Sequence, residues 1–150
     1  MSEIVIGYFS RNDLITDLRA EQKRITSVPI NLESDQAKSL GERFGQRDAT
    51  AHLLQQVTNA LPIKAERIDE EYVYDFAGYI SSAQVSSAIQ KLLKRHQDTQ
   101  PPAFKDSYEQ GRFEGYAQQL LNLQQEFQQR PRVSKEDLRV RRQRKPGFYI

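Results

Sequence analysis

The chain contains no cysteine. That absence excludes disulfide frameworks, thiolate metal sites, redox pairs and cysteine nucleophiles together, and leaves a reducing compartment permitted. Long apolar runs are also missing. No segment approaches the ~20 residues that a membrane span needs, and the start, MSEIVIGYFSRND, has no basic leader followed by an apolar stretch. Export and membrane insertion are therefore not expected, and a cytoplasmic location is. Signatures of chemistry are equally scarce, with no GxSxG, no Walker sequence, no HExxH and no zinc spacing. The two histidines, His52 and His96, fall on separate predicted helices, and each reads as a boundary residue of an amphipathic helix. An enzyme is not expected, nor a cofactor or a metal. The acidic group Asp69, Glu70, Glu71 and Asp75 would offer a magnesium site only if it were helical, because residues 71 and 75 would then share a face. A solvated surface is the commoner outcome for such a cluster.

What the chain does contain is enough for one domain. It has 150 residues, of which 37% are hydrophobic and 28% charged, a balance that folds around one core of modest stability. The net charge of +2 hides an asymmetry. Residues 130 to 150 carry eight basic and two acidic side chains, a net of +6; residues 1 to 129 carry fourteen and eighteen, a net of −4. A mildly acidic body thus bears a basic tail.

Helix starts are marked by a hydroxyl residue followed three places later by an acid or a glutamine, the pairing of a capping box. Ser10 with Asp13 opens a helix to about Arg24. Ser81 with Gln84 opens another with the apolar stripe Val85, Ala88, Ile89, Leu92, Leu93 and His96. Ser107 with Gln110 opens a third, whose seam is Phe113, Tyr116, Leu120, Leu123 and Phe127. Ser134 with Asp137 opens a fourth, SKEDLRVRRQRK, acids first and cations last as the helix dipole prefers, and Pro146 and Gly147 stop it. Residues 34–45 and a segment after Asp48, ended by Pro62, read as two further amphipathic helices. The spacings Gly41 with Gly45 and Gly111 with Gly115 suit close helix contacts or simply weak helix positions. The prolines of DTQPPAF mark a linker.

Strand signals are thinner. EIVIGYF and SVPINL are short and rich in branched or aromatic residues. Residues 66–80 fit both periods: Tyr72, Tyr74 and Phe76 alternate as in a strand, while Ile68, Tyr72, Phe76 and Tyr79 fit a helix. Were Glu70 to Tyr79 helical, a turn over Gly78 to Ser82 would make a helix-turn-helix with the Ser81 helix.

The expected fold is mainly α with a minor short-strand component: a single-domain helical bundle over residues 1 to 130, followed by a basic arm, 131 to 150, that is extended or orders on binding. The bundle should pack through Leu53, Val57, Ile89, Leu92, Leu120 and Leu123. Arg139, Arg141, Arg142 and Arg144 would point all around a helix, leaving Leu138 and Val140 without a shared apolar face and the arm with little reason to dock. Folding back on the acidic body gains little, since exposed ion pairs contribute only about 0 to 1 kcal/mol each. Arginine forks suit phosphates better. The expected function is that of a non-catalytic nucleic-acid-associated regulatory or accessory protein, binding DNA or RNA through Lys91, Lys94, Arg95, Arg139, Arg141, Arg142, Arg144 and Lys145. The alternative is a protein-protein adaptor or small structural subunit. Its tail residues Phe148, Tyr149 and Ile150 would dock on an acidic or grooved partner, and its 113–127 seam would offer a surface to a partner helix or a second copy.

Overall fold

Residues 7–27 and 36–142 are described by a computed structural model. Along them run strand β1 (Tyr8–Ser10), helix α1 (Arg11–Ser27), helix α2 (Gln36–Thr58), and strands β2 (Glu66–Arg67), β3 (Tyr72–Tyr74) and β4 (Tyr79–Ser81). Helices α3 (Ser82–Asp98) and α4 (Ser107–Gln129), a 3-10 turn (Glu136–Leu138) and strand β5 (Arg139–Arg141) follow. The fold is mainly α with a few short antiparallel strands, as the sequence predicts.

Two rows of residues at intervals of four set the packing. On α2 the row is Gly41, Gly45, Ala49, Leu53 and Val57; on α4 it is Gly111, Gly115, Gln119, Leu123 and Phe127, and all ten are buried. A Cβ at Gly41 or Gly45 would overlap the carbonyl of Tyr108 or Arg112, and one at Gly111 or Gly115 would overlap that of Lys38 or Glu42. The backbones meet here, so glycine is required for lack of space. Contacts advance together along both helices, from Lys38 with Gly111 to Thr50 with Gln119, so α2 and α4 run parallel. Interlocked rows at intervals of four are the commonest way for two helices to mesh.

Helices α1 and α3 run opposite to this pair. Arg11 at the start of α1 donates to the Thr58 carbonyl at the end of α2, and Gln84 at the start of α3 donates to the Leu61 carbonyl just beyond it. The core lies between the helices, and the six residues expected to pack it, from Leu53 to Leu123, all belong to it. One polar chain crosses it: the Gln119 amide donates to Thr50 Oγ1 (3.1 Å) and Glu21 Oε1 (3.2 Å), and the Thr50 hydroxyl donates to the Gln46 carbonyl (2.9 Å). The buried pair is thereby satisfied, as burial of polar groups demands.

The caps account for most helix starts. Ser81 and Gln84 form a full capping box (3.0 Å in both directions), and Ser10 Oγ accepts from Asp13 N at 3.4 Å. Helix α4 is capped one residue earlier than expected: the Asp106 carboxylate accepts from Glu109 N (2.8 Å), so the charged cap displaces Ser107. The two helices expected on either side of Asp48 are one. Gly45 packs under α4 instead of ending a helix, and the Asp48 carboxylate takes Arg112 (2.8 Å) instead of capping.

Two larger corrections concern strands. Residues 66–80 form β2, β3 and β4, which removes the helix-turn-helix. Asp69 Oδ1 accepts from the amides of Glu71 and Tyr72, both at 2.8 Å, and closes a turn, while Gly78 takes φ +79, a value few other residues adopt. The Ser134 box also forms, with Asp137 N on Ser134 Oγ at 3.2 Å, yet it opens only the 3-10 turn. Leu138 is then buried and residues 139–141 pair with β3, so the arm docks over 131–142 and is not a free extension. Its alternation of arginine and valine has the period of a strand and offers a helix no apolar stripe. Most of SVPINL, the first residues of EIVIGYF, and Arg144, Lys145, Phe148, Tyr149 and Ile150 lie outside the described residues.

Candidate functional site

Two sheets stand at the end of the bundle where α3 begins. Strands β1 and β4 pair antiparallel, and β3 is the centre of β2-β3-β5. The mutual bridge of Tyr8 with Val133 ties β1 to the segment that leads into β5, and Asp75 N on the Leu138 carbonyl (2.9 Å) extends the pairing of β3 with β5 beside the buried ring of Phe76. The register of the second sheet sets Tyr72 opposite Arg141, Tyr74 opposite Arg139, and Glu66 opposite Tyr74. Residues directly opposed share a face. One face therefore holds Tyr72, Tyr74, Arg139, Arg141 and Glu66, while Val73, Val140 and Arg67 lie on the other.

On the tyrosine face cations sit over rings. The Arg139 guanidinium lies 4.4 Å from the centre of the Tyr72 ring, and Lys135 Nζ lies 4.7 Å from that of Tyr74. Lys135 also reaches Glu66 (2.6 Å), which raises its pKa, and the Tyr74 hydroxyl donates to Glu136 (2.5 Å), which raises that of the phenol. Asp69 stands near Arg139 and Arg67, but its carboxyl is held below its usual range chiefly by the amides of Glu71 and Tyr72, so its oxygens serve the turn first. Arg139, Arg141 and Arg142 are exposed and, among the described residues, join no ion pair within 4.0 Å. The arm folds onto the body through its backbone, through Leu138 and through Lys135 on Glu66, and Arg130 on Asp17 (2.6 Å) fixes the point where it leaves α4. Arg139, Arg141 and Arg142 stay exposed, whereas Arg132 is half-buried against Gly7 and donates to the Gln128 carbonyl (3.3 Å).

The other predicted cations are elsewhere. Lys91, Lys94 and Arg95 are exposed on α3, and Arg95 lies thirteen residues from Ser82, about 20 Å of helix rise. Lys91 overhangs a hollow of about 440 Å³ against the end of α2, beside Leu61, and Arg95 overhangs a separate cleft of about 320 Å³ between α2, α3 and α4. The six expected cations among the described residues thus do not form one surface. The 113–127 seam is consumed internally, with Leu120, Leu123 and Phe127 in the chain's own core.

That cleft brings both histidines to one tyrosine. His52 Nδ1 lies 2.7 Å from the Tyr116 hydroxyl, and the His96 ring stacks between Phe113 and Tyr116 (centroids 4.0 and 4.3 Å). His96 Nε2 lies 2.7 Å from the Phe113 carbonyl, which can only accept, so this nitrogen carries the proton. Burial lowers the His96 pKa against the smaller opposing effect of that hydrogen bond, and burial is also the main cause that raises the Tyr116 phenol. Sequence spacing gave no sign of this meeting, because it depends on the α3–α4 hairpin. Among the described residues no group of three or more histidine, cysteine or acidic side chains could hold a metal ion. The acidic cluster of 69–75 is spread along β3 and its turns, with Asp75 Oδ1 accepting from Ala77 N (3.0 Å). No helix of the described residues is long and apolar enough to cross a membrane. Compared with protein-family models, with curated proteins and with solved structures, the chain matches none.

Proposed function

We propose that the chain is a non-catalytic cytoplasmic accessory protein that associates with nucleic acid through the tyrosine-arginine face of β3 and β5. The observation that carries this reading is the placement of Arg139 and Arg141 opposite Tyr74 and Tyr72, exposed and, among the described residues, outside any ion pair. Guanidinium groups bind phosphate oxygens as planar forks, and tyrosine rings on a sheet surface stack bases, the pairing that single-strand binders use. Arg142 extends the positive edge just past the strand. The docking of 131–142 supports the reading because cations held in place lose less freedom on binding than those of a loose tail.

The test is fluorescence anisotropy with labelled single- and double-stranded oligonucleotides across a range of salt. Replacing Arg139, Arg141 and Arg142 by glutamine should reduce the slope of log K against log salt by about 2 to 2.7, at ~0.7 to 0.9 per phosphate contact. Tyr72→Ala should weaken single-strand binding by about 1 to 3 kcal/mol while leaving the salt slope in place. An unchanged slope in the triple variant contradicts the proposal. The adaptor reading has one observation in its favour: Leu61 is 81% exposed beside the hollow under Lys91. Retention of oligonucleotide binding by Leu61→Ser separates the two.

A further inference from the structure

The cleft between α2, α3 and α4 has no part in the sheet surface, and its chemistry is one-sided. Of the polar side chains that line it, the Arg95 guanidinium and the Gln55 and Gln56 amides can donate to a ligand, and the hydrogen-bonded His52–Tyr116 pair has one further proton to offer, while the His96 proton is taken by the Phe113 carbonyl. Thr99 completes the rim, with its hydroxyl already donating to the His96 carbonyl (2.7 Å), and Leu92 is the apolar wall. Among the described residues no carboxylate lines the space. Asp48, one turn before His52, is neutralised by Arg112 at 2.8 Å and Arg47 at 3.9 Å, and Asp98, next to Thr99, is exposed and does not line the cleft. Burial keeps the Tyr116 phenol protonated, so no negative charge arises within the cleft.

We infer that this cleft is a binding site for a small phosphomonoester, with Arg95 as its charged anchor. The volume of about 320 Å³ is at the small end of the range for ligand sites. Arg95 supplies a planar fork for two oxygens. The lining then offers more donors than the two oxygens of a carboxylate can use, and a phosphoryl group presents three terminal acceptor oxygens. The floor is rigid. The α2 wall is fixed by backbone contact with α4, and His96 is clamped between Phe113 and Tyr116. A floor held in place before the ligand arrives needs little reordering.

The chain has only two histidines, and both line the cleft, so histidine-selective NMR of the full chain reads this site alone. Titration with inorganic phosphate and with adenosine 5′-monophosphate should move both imidazole signals saturably, while adenosine and acetate should leave them in place. Arg95→Gln should weaken phosphate binding about tenfold or more, the loss of one charge-assisted contact. Its unliganded histidine signals should stay at wild-type positions and so report an intact fold. The triple glutamine variant at 139, 141 and 142 should bind phosphate as the wild type does, which separates this site from the sheet surface. A single-stranded oligonucleotide with no terminal phosphate should leave the histidine signals still; if it moves them as the monophosphate does, the cleft belongs to a polynucleotide surface and the inference fails. It fails equally if phosphate moves neither signal, if acetate matches phosphate, or if Arg95→Gln binds phosphate undiminished.

Discussion

His96 is the residue through which pH reaches the fold. Its imidazole has an ordinary pKa of 6.5, and burial between Phe113 and Tyr116 lowers it in the folded chain. Between the two values the unfolded chain binds more protons than the folded one, so this residue's contribution is complete above 6.5 and is lost as pH falls through the depressed value. Glu21 and Asp69 are held below their own ordinary values of 4.5 and 3.8, so their losses come at lower pH. The urea midpoint should therefore fall between about pH 7.5 and about pH 5.5. In His96→Gln, which keeps an N–H for the Phe113 carbonyl, that fall should disappear; an equal fall in the variant would place the effect elsewhere. At this scale the sequence was readable where a partner is local. Ser81 and Gln84, three residues apart, announced their capping box, while His52 and His96, forty-four apart, gave no hint of a common tyrosine.

Among the elements, the pairing of α2 with α4 has the sharpest sequence dependence. A Cβ at Gly45 meets backbone atoms of Arg112 and Tyr116, which cannot rotate away as a side-chain tip would. Gly78 is the useful contrast, since its φ is +79 and nothing lies within 4 Å of an added Cβ. Gly45→Ala should cost about 3 kcal/mol, the upper end for overpacking, and Gly78→Ala about 1 kcal/mol, the cost of a left-handed backbone alone. Chemical denaturation of both variants checks the order, and equal losses would contradict backbone contact. The glycine spacings were visible in the sequence as a choice between close helix contact and weak helix; only the partner helix decides it. The Ser134 segment failed as a helix for a reason the sequence also held. Leu138 and Val140 cannot share a helical face among four arginines, yet the same residues alternate well enough to extend β3. Residues 66–80 were undecidable by period because the turns at Asp69 and Gly78, not the tyrosines, cut the segment into strands.

Across the whole molecule, the uneven charge read from the sequence has a structural outcome more specific than a free tail. Over 131–142 the arm is tied down by β5, by Leu138 and by the ion pair of Lys135 with Glu66, with Arg130 on Asp17 just before it, and this places Arg139 and Arg141 beside Tyr72 and Tyr74. The cations of α3 stand apart, with Lys91 and Arg95 overhanging clefts, so one predicted surface becomes two places with different chemistry. Composition could count these charges but could not divide them, because the division follows from the strand register and from the length of α3. The proposed contact of the sheet face with nucleic acid is tested most directly by a backbone amide NMR footprint of the full chain with a single-stranded oligonucleotide. It should show the largest changes at residues 66–74 and 139–142, and little at 113–127 in the interior seam. Changes confined to the α3 cleft, or none at saturating oligonucleotide, would contradict it.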